Sequence, residues 1–208
     1  MIVYKITRFF LYPIIFLADF AQTNFTKCFL LMNKGPIGNN PRYSKIIKKS
    51  FKKKDFILDY GCGVGIFSKL FNKKNYVGFE VNKNFIKHAK KLNKGYNFYI
   101  INQKNLKNYK KKINAILINN VLHHLSDKQV VDTIHFVKQN SKKRTKILII
   151  EPLVENFFSI GFFIKALDIG NFIRRKKEYI SLLKNIKIKR IQILKFEWGD
   201  SILISGIL

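Results

Sequence analysis

Apolar and polar positions fall into alternating blocks along most of the chain: a short apolar run, then an amphipathic stretch, then another run. Phe56–Asp59 predicts a buried strand and Ile66–Asn72 a helix. Tyr76–Glu80 predicts a second strand, and Lys83–Asn93 a helix with Phe85, Ile86, Ala89 and Leu92 on one side. Phe98–Ile101 predicts a third strand and Ala115–Asn119 a fourth, apolar almost throughout as a central parallel strand is. Asp127–Gln139 predicts a helix capped by Ser126 or Asp127. Ile147–Ile150 predicts a fifth strand, stopped by Glu151-Pro152. Such alternation implies right-handed βαβ units and a doubly wound sheet.

The two ends depart from the alternation. Residues 154–184 predict helical segments around 168-DIGNFIRR-175, followed by strands at 188–196 and 201–208 joined through 197-EWGD-200. That is a hairpin signal, so the sheet is expected to close antiparallel. At the start, 9-FFLYPIIFLA-18 predicts a helix, 33-NKGPIGNNPRYS-44 a loop, and 45-KIIKKSFKKK-54 a short basic helix. The expected division is an N-terminal extension at 1–45 and one domain at 46–208.

Composition narrows the class. The chain has 208 residues, 47% of them hydrophobic, which is enough for a single packed core. Two cysteines, Cys28 and Cys62, exclude a disulfide framework and fit a reducing, cytoplasmic setting; no Cys/His spacing suggests a metal site. No apolar run reaches the ~20 residues that span a bilayer. The run at 9–18 reads as a helix docked on the domain or lying on the inner face of a membrane. The net charge of +28 invites nucleic acid or an anionic membrane as partner, yet only six of the 40 basic residues are Arg, which looks like a chain-wide bias.

Candidate chemistry centres on 57-ILDYGCGVG-65. Gly61, Gly63 and Gly65 join the first strand to its expected helix, where a bare backbone and free helix N–H groups accommodate a ligand. Glu80 ends the second strand 19 residues after Gly61, the place where a carboxylate meets a ribose diol. The glycine spacing departs from the dinucleotide fingerprint, which counts against a nucleotide-dependent oxidoreductase. Asp59, two positions before Gly61, suits a cationic ligand better than a pyrophosphate.

These residues resemble the first motif of the class I S-adenosylmethionine (SAM)-dependent methyltransferases. The segments 77-VGFEVNKNFIKHAKK-91, 116-ILINNVLHHLSD-127 and 148-LIIEPL-153 resemble their later motifs, so the resemblance covers about residues 50–208. It implies an α/β, Rossmann-like fold with a mostly parallel seven-stranded sheet and an antiparallel C-terminal hairpin. It implies SAM as cofactor. Asp59, Gly61, Cys62, Gly63 and Gly65 would then surround the methionine portion, and Glu80 the ribose. Val81, Asn102 and Gln103 would lie by the adenine, and Asn119 and Asn120 beside the methionine end. Asn102 stands where the family often has an acid.

For the acceptor, His123 and His124 follow the fourth strand and are the expected general bases, with Glu151 at the end of the fifth as the next candidate. Arg174 and Arg175 are placed to meet an anionic group of the acceptor, and 157-FFSIGFFIKAL-167 to roof it. The fourth-strand motif lacks the Asn/Asp-Pro-Pro-aromatic sequence of enzymes that methylate amines in nucleic acid. The expected reaction is methylation of a small or amphiphilic acceptor, a lipid, glycan or metabolite, at oxygen or carbon. RNA methylation, and a non-catalytic basic protein binding nucleic acid or membrane on the same fold, remain the alternatives.

Overall fold

In the computed structural model the described residues are 41–154, 172–196 and 199–208, with only the backbone of Gln103. The expected helix at 9–18, the loop at 33–40, the apolar segment at 157–167 and the turn residues Glu197 and Trp198 lie outside them.

The first described element, helix α1 (Pro41–Ser50), opens with proline at its first position, where the missing N–H costs nothing. Tyr43, Ile46 and Ile47 share one face, and Tyr43 and Ile47 are buried. The helix thus starts within the stretch expected as loop, and 52-KKK-54, expected as helix, forms the turn into the sheet.

Seven strands follow: β1 (Ile57–Tyr60), β2 (Tyr76–Glu80), β3 (Asn97–Ile100), β4 (Ala115–Asn119), β5 (Lys146–Pro152), β6 (Lys187–Leu194) and β7 (Ser201–Ile207). Their order across the sheet is β3-β2-β1-β4-β5-β7-β6. The first five are parallel, and β7 runs antiparallel between β5 and β6. This is the expected α/β sheet with its closing hairpin. Side chains alternate across it. Ile116 and Ile118 of β4 pack with Val130, Ile134 and Val137 of α4 (Asp127–Gln139). Ala115 and Leu117 face the other layer, with Ile47 of α1 and Ile86 and Ala89 of α2 (Lys83–Leu92). Two shorter helices, α3 (Gln103–Lys107) and α5 (Lys176–Leu182), complete the described layers.

Three expectations are corrected. Ile66–Asn72 is not an α-helix: after the glycine loop come turns and a single 3₁₀ turn at Ser68–Leu70. Only six residues separate Gly65 from Asn72, whose side chain opens the next turn, too few to repay helix nucleation without a cap. The fifth strand does not stop at Ile150. Its pairing with β7 carries it to Pro152 opposite Ser201. Leu92, expected inward, is exposed at the end of α2.

Candidate active site

Strand order reverses between β1 and β4, so chain leaves the sheet in opposite directions there and opens a crevice at the carboxyl ends. Asp59, Glu80, Asn119 and Glu151 all stand at or next to these ends, on four adjacent strands.

The glycine loop is shaped first by packing. Gly61 and Gly65 have φ of 78° and 76°, where side chains are disfavoured. A Cβ on Gly61 would also lie 2.4 Å from Val121 Cγ2, and one on Gly65 2.6 Å from Phe98 Cζ. The N–H groups of Gly61 and Cys62 both donate to Phe79 O, at 2.7 and 3.0 Å. Cys62 packs beneath the loop against Gly78, and burial pushes its thiol pKa up. With no α-helix after the loop, the helix-terminus contribution expected from sequence does not exist.

Glu80 ties this loop to β2. Its Oε2 accepts from Gly63 N–H at 3.0 Å, and its Oε1 from Val81 and Asn82 N–H at 2.7 and 3.0 Å. Three of the carboxylate's four lone-pair directions are used, and one on Oε2 is left. Val81 beside it is 70% exposed, an apolar surface at the mouth of the site. Asn102, exposed, caps α3 by accepting from Asn105 N–H at 2.7 Å.

Asp59 is 2% exposed, and Tyr76 Oη donates to its Oδ2 at 2.7 Å. Burial pushes its carboxyl up to about 7; the Tyr76 bond pulls the other way, and the nearby Glu80 charge adds to the rise. Oδ1 accepts no bond from a described residue. A half-satisfied buried carboxyl of this kind fits a cationic group.

On the other side of the crevice, Tyr43 Oη donates to Asn119 Oδ1 at 2.5 Å, linking α1 to β4. Tyr43 also packs on Phe67 and Phe196, with ring centres 5.9 and 5.5 Å away. Sequence reading missed Tyr43; its three- and four-residue spacing to Ile46 and Ile47 was the available signal. Asn120 takes a left-handed turn, φ 53°, and its N–H donates to Ile150 O.

The expected bases take different places. Glu151, fully buried, accepts from the N–H groups of Val121, Leu122 and His123 and contacts His123 Nδ1 at 2.7 Å. As an acceptor of three N–H bonds it takes the His123 Nδ1 proton as a fourth, which leaves the lone pair on Nε2. His123 is 3% exposed; His124 is exposed, its ring centre 4.1 Å from that of His123. Arg174 does not face an acceptor. It is buried, and its guanidinium donates to Leu122 O, Leu125 O, Phe172 O and Asp127 Oδ1. Arg175 opens α5, where its N–H donates to Glu178 Oε2.

The model of a family described as a methyltransferase domain matches residues 39–191. The chain belongs to the class I SAM-dependent methyltransferases. Their fold is seen in a SAM-dependent methyltransferase from Methanosarcina mazei, 18% identical, with TM-score 0.59 over 78% of this chain and 96% of that one. A Pyrococcus horikoshii protein is similar over 82% and 92%, with TM-score 0.63 and 16% identity. Magnesium protoporphyrin IX methyltransferase from Synechocystis, solved with S-adenosylhomocysteine, is similar over 79% and 78%, with TM-score 0.58 and 14% identity. No curated protein sequence matches the chain significantly. SAM is therefore the methyl donor of this methyltransferase, and the buried, half-satisfied Asp59 beside Glu80 fits a ligand that carries an ammonium and a sulfonium. No helix among the described residues is long and apolar enough to cross a membrane.

Proposed function

We propose that this methyltransferase methylates a small or amphiphilic acceptor, a lipid, glycan or metabolite, at oxygen or carbon. The observation that carries the reading is the loop after β4. Glu151 and Arg174 hold its backbone from beneath, and it offers His124 at the rim of the crevice. The Synechocystis structure, whose protein is named for magnesium protoporphyrin IX, supports a small-molecule acceptor by analogy only.

In this reading Asp59 holds the α-ammonium of SAM, and Glu80 the ribose through the lone pair that Gly63 does not use. Val81 packs on the adenine, with Asn102 and Gln103 beyond it. Gly61, Cys62, Gly63, Gly65, Asn119 and Asn120 shape the backbone around the methionine portion. Bound SAM supplies an electrophilic methyl on a sulfonium, so the protein's task is alignment, water exclusion and removal of the acceptor's proton. His124 takes that proton, and the His123–Glu151 pair positions it. General-base catalysis contributes typically 10²–10⁴-fold. His124→Ala is thus expected to lower kcat by about 100-fold or more, with SAM affinity unchanged.

The test is transfer of radiolabelled methyl from SAM into a fractionated cell extract, wild type beside Glu80→Ala. Label in the organic or small-molecule fraction, absent from the variant, supports the proposal. Label in RNA would replace the acceptor class. SAM binding with no label in any fraction would favour a non-catalytic protein on this fold.

A further inference from the structure

Among the described residues, the lysines of the loops are distributed by strand polarity. Loops entering the parallel strands carry 52-KKK-54 before β1, 73-KK-74 before β2, 110-KKK-112 before β4 and 142-KKR-144 before β5, all exposed. Exposed Lys94 and Lys184 precede β3 and β6. The stretches that directly leave β1 to β4 differ: 61–67, 81–82, 101–102 and 120–126 contain no Lys or Arg, while Lys69 follows the first of them, Arg174 and Arg175 follow β5 and exposed Lys195 follows β6. A compositional bias toward lysine would fill both sets alike.

Acids follow the reverse rule. Asp59, Glu80, Asp127 and Glu151 stand on the leaving side. In the described entering loops Asp55 is the one acid. It is buried, with Lys146 Nζ at 2.7 Å and Lys52 N–H at 2.8 Å from its Oδ2. The helix dipole accounts for Lys90, Lys91 and Lys138 at the ends of α2 and α4, but not for the runs inside the loops.

Seven strands at about 4.8 Å make this edge ~30 Å long, and helix ends on either side widen it by ~10 Å each. We propose that this broad basic face docks the enzyme on an anionic lipid bilayer. Lysine's compact charge suits an array of independent headgroups, whereas bidentate phosphate recognition favours arginine. Among the described residues the face also lacks a stacking platform of the kind single-stranded nucleic acid uses. Its aromatic residues are partly buried in ring contacts, Phe51 on Phe71 at 5.8 Å and Phe56 near Tyr109 at 5.9 Å. Docked this way, the catalytic edge stands a strand length from the lipid, ~17 Å, and faces water.

The inference is independent of the acceptor proposed above, because the face lies opposite the crevice. The 208-residue chain is floated with phosphatidylcholine vesicles, with and without phosphatidylglycerol, across a salt titration. Binding is expected only with phosphatidylglycerol, and falls away as salt shortens the Debye length. The variant Lys110→Gln, Lys111→Gln, Lys112→Gln should bind on the order of 100-fold more weakly. Its control removes the same charge elsewhere, through Lys104→Gln, Lys176→Gln and Lys177→Gln, and should bind nearly as wild type does. Equal weakening of both variants would overturn the proposal in favour of net charge alone, and weakening of neither would place the contact elsewhere. Duplex RNA that binds more tightly than the vesicles and displaces them would make nucleic acid the partner instead.

Discussion

Asp59 is where a single residue's burial and its use are most directly opposed. Its carboxyl lies near 7 in the folded protein against about 4 in an unfolded chain. The folded state therefore binds more protons across that window, and stability falls as pH rises from about 4 to about 7, with no further loss above it. Asp59→Asn keeps an oxygen for the Tyr76 hydroxyl and removes the charge. The variant is expected to match wild type in Tm at pH 4 and to exceed it at pH 8. It should bind SAM more weakly at pH 8, because the ammonium loses its counter-charge. A variant that is no more stable than wild type at pH 8 would mean that Asp59 is not the strained group. Nothing in the sequence beyond its position before Gly61 exposes this conflict, since it arises from Tyr76 and the closed strand end around it.

Among elements, those with strong periodicity were legible and those held by long-range contacts were not. Strands β1 to β5 and α4 fall within a few residues of their expected places, because apolar runs and a Ser126 cap are local signals. The Ser126 side chain does accept from Gln129 N–H, as a cap should. The stretch after the glycine loop misled because Phe67, Leu70 and Phe71 mimic a helical face, whereas Phe67 packs on Tyr43 and Phe71 on Phe51 and Tyr76. Arg174 misled for a similar reason. A surface arginine reads as solvated or substrate-facing, and two of its three carbonyl partners, Leu122 O and Leu125 O, sit about fifty residues away in sequence. That partnership predicts a stability defect in Arg174→Leu, which strands the Leu125 carbonyl and leaves the Leu122 carbonyl with the Leu125 N–H alone. An unsatisfied buried group costs ~1–3 kcal/mol, so a loss of about 2 kcal/mol is expected, or ~4–8 °C in Tm for a domain of this size. Amide exchange should quicken at His124 and Leu125. An unchanged Tm with unchanged exchange would refute the brace.

For the whole molecule, the charge of +28 has two opposite consequences that one salt titration separates. Like charges crowded along the strand-entering edge repel one another in the compact state, and an unfolded chain relieves that repulsion. Added salt screens it, with a Debye length of about 30 Å at 0.01 M and 10 Å at 0.1 M. Thermal stability is therefore expected to rise by several degrees over that range, while attachment to anionic vesicles weakens over the same range. The variant lacking the charges of Lys110, Lys111 and Lys112 should melt higher than wild type in low salt, and the two should converge in high salt. The Lys104, Lys176 and Lys177 variant removes equal charge from the side where the acids stand, and its Tm should move less. A common shift in both variants would mean that the repulsion is spread evenly over the molecule. A shift confined to the first would mean that the lysines are concentrated along one edge at a cost in stability, which is what a docking surface requires and an evenly spread compositional bias does not.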